Sequence, residues 1–541
     1  MKNSSIRMVL GQLNLAVGNI PGNTKKIIAA IEKASNDKAD IIIFPELSIC
    51  SYPPEDLLLR PAFNKSIESA LKKITMAAKD IHVILGYPLK KEEKLYNACS
   101  LIHDKKIKHT YSKRYLPNYG VFDEKRYFTP GDKPCLFEIK DSIAALSICE
   151  DIWVSKPTED AASANAKILF NINASPYEKN KTTDREQIIS KRASQSNIHI
   201  VYVNLVGGQD ELIFDGSSQI YDNNGKIIFQ ASSFKEELFL AELDINNKKN
   251  KINTNRSEFF VEQNIYNALI LGVKDYVMKN KFQGVVIGLS GGIDSALTLC
   301  IAADALGPEN VKALIMPSRY TSKMSIDDAS MLAKKLNVSY EIISIEPPFT
   351  SFLDILKPIF GNLPIDATEE NIQARCRGLL LMAISNKYNK LVLTTGNKSE
   401  MSVGYATLYG DMAGGFSPLK DVWKTLVYKL SKWRNTQGNV IPESIINRPP
   451  TAELRDNQLD QDFLPDYEIL DPILEKYIEL DQHPEKIISD GYNPETVYKV
   501  TKLVDKNEYK RRQSAPGIRI TNKAFGKDRR YPISSGYTEE K

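Results

Sequence analysis

The length and composition of the chain exclude several classes of protein. With 541 residues it is too long for one compact core, so two or three domains are expected. The 71 Lys and Arg residues nearly balance the 67 Asp and Glu residues, for a formal net charge of +4. This charge provides little electrostatic attraction to nucleic acid or an anionic membrane. A hydrophobic content of 42% and a charged content of 26% are ordinary for a globular protein that buries a core.

The cysteines and histidines do not indicate a metal site. Six cysteines are scattered without a C-x-x-C pair, and five histidines lack metal-ligand spacing, which argues against a disulfide scaffold and a cysteine-based zinc site. No apolar run approaches the ~20 residues that a membrane span needs, and the N-terminal run is too interrupted for a signal peptide. We therefore expect a cytoplasmic protein with no nucleic-acid or membrane partner.

The first half of the chain alternates short apolar runs with helical stretches, as in an α/β domain. Buried strands are predicted at residues 6–15, 40–44, 81–87, 143–148, 168–173 and 198–205, and helices at residues 23–35 and 63–79. Residues 217–221 and 226–230 flank an Asp-Asn-Asn-Gly turn, which predicts a hairpin. Part of the sheet is therefore expected to be antiparallel.

An Asn- and Lys-rich segment, residues 246–257, has almost nothing to bury and is predicted to be an exposed linker. It separates a first domain, residues 1–245, from a second, residues 258–541. In the second domain, helices are predicted at residues 258–279, 293–306, 325–336 and 372–386, with strands at 311–316, 340–345 and 391–395. Ser325 and Asp328 have the spacing of a helix start. This alternation favours a doubly wound parallel sheet.

A glycine-rich segment between an apolar strand and a helix predicts an anion site. It comprises Gly288, Leu289, Ser290, Gly291, Gly292, Ile293, Asp294 and Ser295. Backbone N–H groups at a helix N-terminus bind phosphate, and glycines allow a close approach. Asp294 would repel a phosphate unless a cation lay between them, and Mg²⁺ is the natural bridge. The Walker pattern is absent, so phosphoryl transfer of the P-loop type is not supported.

This segment resembles the S-G-G-x-D-S loop of the ATP pyrophosphatases, and residues 258–535 resemble NAD synthetase. The shared motifs lie at residues 316–322, 370–375, 394–400, 404–415, 420–425 and 450–454. The resemblance implies a Rossmann-like domain of the adenine nucleotide alpha hydrolase type, with ATP as co-substrate. It assigns the segment from Gly288 to Ser295 together with Thr395 to ATP, and Asp294 and Glu400 to Mg²⁺. It places at deamido-NAD the residues Asn371, Arg375, Glu400, Asp411, Lys424, Thr451 and Lys510.

Three dispersed residues of the first half follow predicted strands: Glu46 follows residues 40–44, Lys113 follows a Lys-rich strand near Ile107, and Cys149 follows residues 143–148. Because reacting groups collect beyond the strand ends of open α/β sheets, these three side chains can converge. A Cys149 thiolate is a nucleophile, Glu46 can take its proton, and Lys113 can stabilise an oxyanion. A buried cysteine at a strand end is more often inert, so the spacing alone does not decide between the two interpretations.

The segments around these residues, at positions 44–48, 116–124 and 149–153, resemble the nitrilase superfamily, in the amidase branch that is fused to NAD synthetase. The resemblance covers about residues 5–240 and implies an α-β-β-α sandwich that hydrolyses glutamine. It makes Glu46, Lys113 and Cys149 catalytic and Glu124 a supporting carboxylate. The residues that it places at glutamine are Tyr52, Tyr119, Phe122, Ser175 and Lys181.

Together the two resemblances imply a glutamine-dependent NAD synthetase, a carbon–nitrogen ligase that acts on deamido-NAD, ATP and L-glutamine. They also imply a homo-oligomer, at least a dimer through the synthetase domain. Because free ammonia is mostly ammonium at neutral pH, we expect ammonia to travel inside the protein from Cys149 to the glycine-rich segment.

Two alternatives remain open at this point. One is another amidotransferase of the ATP-pyrophosphatase type, which would make GMP, asparagine or a modified tRNA. The other is a catalytically silent nucleotide-binding scaffold. Enzymes that thiolate tRNA usually use a cysteine pair, which is absent, and the intact Cys149, Asp294 and Glu400 disfavour a silent protein.

Overall fold

The computed structural model describes residues 5–245, 253–254 and 261–537. The chain divides into two compact units, residues 1–259 and residues 260–541. Most of the predicted linker, residues 246–257, lies outside the described residues. Its described part, Asn253–Thr254, is a short strand that pairs with a sheet of the first unit, so this part is not free of the domain as the composition predicts.

The first unit is built mainly from strands. They are β1 (Ser5–Gln12), β2 (Ile41–Ile43), β3 (His82–Lys91), β4 (Lys94–His103), β5 (Lys106–Ser112), β6 (Leu136–Ile139), β7 (Ser142–Ile148), β8 (Ile168–Asn173), β9 (His199–Asn204), β10 (Val206–Gln209), β11 (Leu212–Asp215), β12 (Gln219–Tyr221), β13 (Ile227–Gln230), β14 (Glu237–Asp244) and β15 (Asn253–Thr254). The α-helices are α1 (Ile20–Asn36), α2 (Pro61–Ala77), α3 (Ser155–Ser163) and α4 (Lys181–Ser196).

These strands form two large sheets and one two-stranded ribbon. The six-stranded sheet has the order β14-β1-β2-β3-β4-β5, the seven-stranded sheet has the order β15-β13-β12-β9-β8-β7-β6, and β10 pairs with β11. In both large sheets the central strands are parallel and the outer strands at one or both edges are antiparallel.

Alternation along the strands assigns each side chain to a layer. On β1, Met8 joins an apolar cluster with Phe170 of β8, and the neighbouring Val9 joins a different cluster with Ile31 of α1. On β8, Leu169 packs with Ile189 of α4 in a third cluster. Because successive side chains of a strand point to opposite faces, the two sheets pack face to face with helices outside both. The first unit is therefore an α-β-β-α sandwich.

The structure confirms the six predicted strands of this unit, although β3 extends to Lys91 and β1 already ends at Gln12. It also confirms the predicted hairpin as β12 and β13. Several strands were not predicted, notably β4 and β14. Strand β14 pairs with β1 along its whole length, Ser5 opposite Asp244, and no local pattern identifies a partner so distant in sequence. Strand β4 carries polar residues such as Asn97 on the buried sheet, which hides its apolar periodicity.

The second unit is mainly helical around a small sheet. Its strands are β16 (Val285–Gly288), β17 (Val311–Ile315), β18 (Ser339–Ile342) and β19 (Leu391–Leu393). Its α-helices are α5 (Val261–Lys279), α6 (Ile293–Leu306), α7 (Lys323–Lys335), α8 (Glu346–Phe360), α9 (Ala367–Tyr388), α10 (Lys398–Val403), α11 (Lys424–Thr436), α12 (Glu443–Asn447), α13 (Tyr467–Leu474), α14 (Pro484–Ser489), α15 (Pro494–Lys506) and α16 (Glu508–Arg511).

The sheet of the second unit is fully parallel with the order β18-β17-β16-β19. Val286 and Leu314 pack with Phe349 of α8 and Leu381 of α9. The residues that alternate with them lie on the opposite face, where α6 contacts β16 and β17. This is the predicted doubly wound arrangement, and its order reverses between β16 and β19. Ligands of such sheets bind at the carboxyl ends of the strands beside this reversal.

One predicted helix start in this unit is wrong. Ser325 and Asp328 suggested that a helix begins at Ser325, but helix α7 begins at Lys323 and its N-cap is Ser322. The Ser322 hydroxyl accepts a hydrogen bond from the backbone N–H of Ser325 at 3.1 Å, which places Ser325 inside the first turn. Among the described helices, none is long and apolar enough to cross a membrane.

Candidate active sites

A buried ion cluster lies at the carboxyl end of the strands in the first unit. Lys113 Nζ donates to Glu46 Oε1 at 2.7 Å and to Glu124 Oε1 at 2.8 Å. The side chains of all three are 0–4% exposed. Glu46 follows β2, Lys113 follows β5, and Glu124 begins a short 3₁₀ turn, so the sheet and its loops bring together residues that are 67 apart in sequence.

The carboxylates of this cluster have further donors. Glu46 Oε1 also accepts from Asn97 Nδ2 at 2.7 Å, and Glu46 Oε2 accepts from the backbone N–H of Ala174 at 3.0 Å. Tyr52 donates its hydroxyl to Glu124 Oε1 at 3.1 Å. Each contact fixes a rotamer of a carboxylate that would otherwise be costly to bury.

Burial and neighbouring charges set the protonation of the cluster. Burial alone would lower the pKa of Lys113, but Glu124 and Glu46 raise this pKa well above its usual value, so the lysine is a cation. Burial raises the pKa of Glu124 to about 7, although Lys113 opposes the shift. Burial and then Glu46 raise the pKa of the Cys149 thiol, although Lys113 lowers it. Cys149 is therefore a thiol at rest, and it needs a base, the role predicted for Glu46, to become a nucleophile.

A strained turn presents Cys149 at the end of β7. Its φ is +43°, a left-handed value that costs a non-glycine residue about 1–3 kcal/mol and is concentrated at functional sites. Asp151 holds this turn, because its carboxylate accepts from the backbone N–H groups of Ile148 at 3.0 Å and Tyr115 at 2.9 Å. Asp151 thus ties the cysteine turn to the segment that follows Lys113.

Sequence reasoning missed Asp151 and Asn97. Asp151 lies two residues after Cys149, within the quoted motif, and a buried acid next to a candidate nucleophile was an available signal. Asn97 had no such signal, because it lies 51 residues from Glu46 in a strand that was not predicted.

The predicted glutamine contacts surround the aromatic ring of Phe122. The rings of Tyr52 and Tyr119 lie 6.4 Å and 5.6 Å from it, and Lys181 Nζ lies 5.6 Å from its centre. Ser175 lies elsewhere, in the buried loop after β8, where Asn204 Oδ1 accepts from its backbone N–H at 2.9 Å. This loop also contains Ala174, the donor to Glu46.

The second unit contains a cavity of about 290 Å³ at the carboxyl ends of β16 and β19, close to the small end of ligand pockets. It is lined by most of the residues predicted for ATP, namely Gly288, Leu289, Ser290, Gly292, Ile293, Asp294, Ser295 and Thr395. Gly291 does not line it but shapes the turn. Gly291 has φ +83°, and a Cβ there would lie 2.4 Å from the carbonyl oxygen of Ser325.

Hydroxyl groups close the turn from inside. Ser295 Oγ donates to the carbonyl of Gly292 at 2.9 Å, and the backbone N–H of Gly292 donates to Ser290 Oγ at 3.2 Å. Gly292 is the N-cap of α6, so the positive end of the helix dipole faces the turn. This arrangement fits the phosphate-binding turn that the sequence predicts.

Beside this turn, a second lysine bridges two carboxylates. Lys424 Nζ donates to Asp294 Oδ2 at 2.5 Å and to Glu400 Oε1 at 3.1 Å. Asn397 donates to Asp294 Oδ1 at 2.9 Å and caps the helix that carries Glu400. Burial raises the pKa of Glu400 to about 8, although Lys424 opposes the shift. Asp460, buried nearby and not predicted, lines the same cavity.

The residues predicted to bind deamido-NAD are divided between the cavity and its surroundings. Glu400, Asp411, Lys424 and Thr451 line the cavity. Lys510 Nζ donates to the carbonyl oxygens of Gly404 and Ala406 at 2.7 and 2.9 Å, and Ala406 is a lining residue. Asn371 Oδ1 accepts from Thr407 at 2.8 Å, and Arg375 donates to Leu408 O at 3.3 Å. Burial raises the pKa of Asp411 to about 6.

Comparison with known proteins identifies the family. The carbon-nitrogen hydrolase model matches residues 9–250, and the NAD synthase model matches residues 265–514. A glutamine-dependent NAD(+) synthetase of Acinetobacter baylyi is 49% identical over 536 residues, which cover 98% of this chain and 99% of that protein. The chain belongs to the glutamine-dependent NAD(+) synthetase family. A second member, from Xanthomonas campestris pv. campestris, is 46% identical over 99% of this chain and 98% of its own.

A solved structure of the same family supports the fold of both units. It is the glutamine-dependent NAD+ synthetase of Acinetobacter baumannii in complex with ADP, 47% identical, with a TM-score of 0.81 over 99% of this chain and 100% of that chain. Family membership confirms the predicted nitrilase-like and Rossmann-like domains. It also favours NAD synthesis over the two alternatives that the sequence left open.

Proposed function

We propose that this protein makes NAD from deamido-NAD, ATP and L-glutamine, with one reaction in each unit. The observation that carries the proposal is the presence in one chain of a buried Lys–carboxylate cluster beside Cys149 and a glycine-rich phosphate turn beside Lys424. The first arrangement suits amide hydrolysis through a thioester, and the second suits ATP-dependent activation of a carboxylate.

In the first unit, Glu46 removes the proton of the Cys149 thiol, and the sulfur attacks the side-chain carbonyl carbon of glutamine. Lys113 supplies positive charge as the carbonyl oxygen becomes negative. The C–N bond then breaks, the proton held by Glu46 goes to the leaving nitrogen, and ammonia departs. Water activated by Glu46 hydrolyses the thioester to glutamate. Glu124 holds Lys113 in place from the other side.

The residues around Phe122 fit the rest of a glutamine molecule. Phe122 and Tyr52 are buried and form an apolar wall for its methylene groups, whereas the exposed Tyr119 and the partly exposed Lys181 carry polar ends. Ser175 supplies a hydroxyl from the loop after β8, next to Ala174, whose backbone N–H donates to Glu46. We assign all five to glutamine binding.

In the second unit, the carboxylate of deamido-NAD attacks the α-phosphate of ATP, which forms an acyl-adenylate and releases pyrophosphate. Ammonia then displaces AMP to give the amide. The turn from Ser290 to Ser295 would cradle the phosphates, and Lys424 would neutralise charge at the reacting oxygens. Thr395 follows β19 and lines the same cavity, and we assign it to the ATP site.

Asp294 and Glu400 fit a Mg²⁺ ion. Both carboxylates reach the same Lys424 nitrogen, at 2.5 and 3.1 Å, so they lie within reach of one shared cation, and oxygen ligands are those that Mg²⁺ prefers. When bound, Mg²⁺ would supply charge that screens the ATP phosphates. Asn397 orients Asp294 for that task through its hydrogen bond at 2.9 Å.

The remaining predicted residues are assigned to deamido-NAD. Asp411 and Thr451 line the cavity, while Asn371, Arg375 and Lys510 lie around its rim, bonded to residues 404–408. Through these hydrogen bonds, Asn371, Arg375 and Lys510 would position segment 404–408 against deamido-NAD.

We further propose that the protein works as a cytoplasmic homo-oligomer assembled through the second unit. Helix α8 exposes Ile355 and Ile359 by 64% and 74%, and the turn after it exposes Ile365 by 84%. A cluster of exposed apolar side chains suits contact with a second copy. Sedimentation at several protein concentrations, with and without an Ile359→Lys substitution, tests this point; a monomer at all concentrations would reject it.

A product assay tests the proposed function. Purified protein with Mg²⁺, ATP, deamido-NAD and glutamine should yield NAD, AMP, pyrophosphate and glutamate in equal amounts. Omission of deamido-NAD should abolish pyrophosphate release. If ADP and phosphate formed in place of AMP and pyrophosphate, or if deamido-NAD were not consumed, the proposal would be wrong.

A further inference from the structure

Asn97 contacts two of the proposed catalytic residues of the first unit. It lies on β4 and is 0% exposed. Its side-chain Nδ2 donates to Glu46 Oε1 at 2.7 Å, and its backbone carbonyl accepts from the N–H of Lys113 at 2.8 Å. The mechanism above does not use this amide.

The hydrogen bonds of Glu46 distinguish its two oxygens. Oε1 accepts from both Asn97 Nδ2 and Lys113 Nζ, each at 2.7 Å. Because a carboxylate oxygen has two lone pairs, these two donors occupy both of them. Oε2 accepts only from the backbone N–H of Ala174, at 3.0 Å, among the described residues. The one open lone pair of Glu46 is therefore on Oε2.

The side-chain oxygen of Asn97 indicates that the NH₂ group is the part of the amide that acts on Glu46. Asn97 Oδ1 is buried and has no hydrogen-bond partner among the described residues. Leaving such an acceptor unpaired costs about 1–3 kcal/mol. An apolar residue would avoid this cost but would also remove the donor to Glu46, so the NH₂ group accounts for the asparagine at this position.

We propose that Asn97 is a positioning residue that locks the Glu46 carboxylate, so that Oε2 takes the proton of the Cys149 thiol. In that step the S–H bond breaks, an O–H bond forms at Oε2, and the electron pair stays on sulfur for attack on glutamine. The inference rests on the proposed glutaminase activity. An uncharged donor suits this place, because an acid would add a third carboxylate to Glu46 and Glu124 around one lysine.

The charged and titratable groups that face Glu46 come from several elements. Lys113 follows β5, Glu124 begins the 3₁₀ turn, Cys149 follows β7, and Tyr52 lies in the loop after β2. None of them replaces the Asn97 donor, because Lys113 already bonds Oε1 and the others do not donate to Glu46 among the described residues. Loss of the amide should therefore leave Glu46 Oε1 with Lys113 as its remaining donor and let the carboxylate turn away from the thiol.

The test is the steady-state kinetics of glutamine hydrolysis by the full-length protein with Asn97→Ala and Asn97→Ser. We expect kcat to fall about 10–100-fold, less than the 10²–10⁴-fold that a general base supplies, because Glu46 stays in place but loses its fixed orientation. KM should change less than about twofold. Ammonia-driven NAD formation should remain within about twofold in both variants.

The matched control is Asn23→Ala. Asn23 is also buried and donates to backbone carbonyls of Ala16 and Ile49, but it does not contact Glu46. It should lower the melting temperature without lowering kcat for glutamine. If Asn97→Ala and Asn97→Ser kept the wild-type kcat, or changed KM alone, the positioning role would be wrong. If the unsubstituted protein failed to hydrolyse glutamine, the proposed function itself would be wrong.

Discussion

The two units each bury a lysine between two carboxylates, but they do so in different surroundings. In the first unit, Lys113 and its partners Glu46 and Glu124 have side chains only 0–4% exposed. In the second, Lys424 is 3% exposed, whereas Asp294 and Glu400 are 16% and 18% exposed at the cavity wall. The same charge pattern is sealed in one unit and open in the other.

The difference follows from the chemistry that each cluster would support. A thiol and one amide group need a fixed base and a fixed cation, so every member of the first cluster can be held by protein hydrogen bonds. Polyphosphate brings its own charge and its own metal ion, so the carboxylates of the second cluster must stay accessible. Four predictions, from the largest expected effect to the smallest, test this comparison.

Replacement of Lys424, the lysine of the second cluster, should have the largest effect. Lys424→Met removes the cation beside the reacting phosphates, so NAD formation should fall on the order of 10³-fold with either glutamine or ammonium as nitrogen donor. Lys429→Met, at an exposed position of the same helix, is the control and should keep full activity. A Lys424→Met protein that lost activity with only one donor would contradict the comparison.

Replacement of Lys113, the lysine of the first cluster, should affect NAD formation from glutamine but not from ammonium. Lys113→Met should reduce glutamine-driven NAD formation on the order of 10³-fold because the oxyanion loses its cation. Ammonia-driven formation should stay within about twofold, since the second unit is intact. Steady-state rates with each donor give the result, with Lys106→Met on strand β5, an exposed position, as the control. Equal losses with both donors would refute the division of labour.

A comparison of two glycine-to-alanine substitutions tests the role of the phosphate turn. Gly291 and Gly361 both have positive φ, but a Cβ at Gly291 would lie 2.4 Å from Ser325 O, whereas at Gly361 it would meet nothing within 4 Å. Gly361→Ala should cost about 1–3 kcal/mol of unfolding free energy from backbone strain alone. Gly291→Ala should also displace the turn and reduce ATP-dependent turnover about 10²-fold. Chemical denaturation and initial rates measure both, and similar activities of the two variants would oppose this role of Gly291.

The smallest effect concerns pH and stability. Burial raises the pKa of Glu400 from 4.5 to about 8. A carboxyl whose pKa is raised by folding stabilises the protein fully below its unfolded value, and this contribution is lost as the pH rises through the folded value. The ligand-free protein should therefore lose stability between about pH 4.5 and 8. Glu400→Gln should flatten that decline in melting temperature, whereas the exposed Glu341→Gln should not. An equally steep decline in Glu400→Gln would contradict the assignment.

The sequence predicted the frame of the fold better than the contacts between distant residues. The strands β7 and β8 and the glycine-rich turn have strong local signals, namely apolar runs that end in glycine or polar residues. By contrast, β14 depends on its pairing with β1, in which Leu10 opposes Phe239, 229 residues away. Among the described residues, helices α10 to α16 follow one another without an intervening strand, so no change of periodicity marks where each one begins and ends.

The candidate sites show the same division. Cys149, Glu46 and Asp294 were identified because their motifs are local, and the resemblance to known families supplied their roles. Asn97 and Asp460 were missed because their significance comes only from contacts across the fold. The raised pKa of the Cys149 thiol was also beyond reach of the sequence, since burial is its main cause.

The central claim is that one unit releases ammonia and the other consumes it, and Cys149→Ala tests it most directly. NAD formation should be measured at matched deamido-NAD and ATP, once with glutamine and once with ammonium. The variant should form no NAD from glutamine above background and should retain the ammonium-driven rate within about twofold. Undiminished synthesis from glutamine, or loss of synthesis from both donors by a folded variant, would contradict the claim.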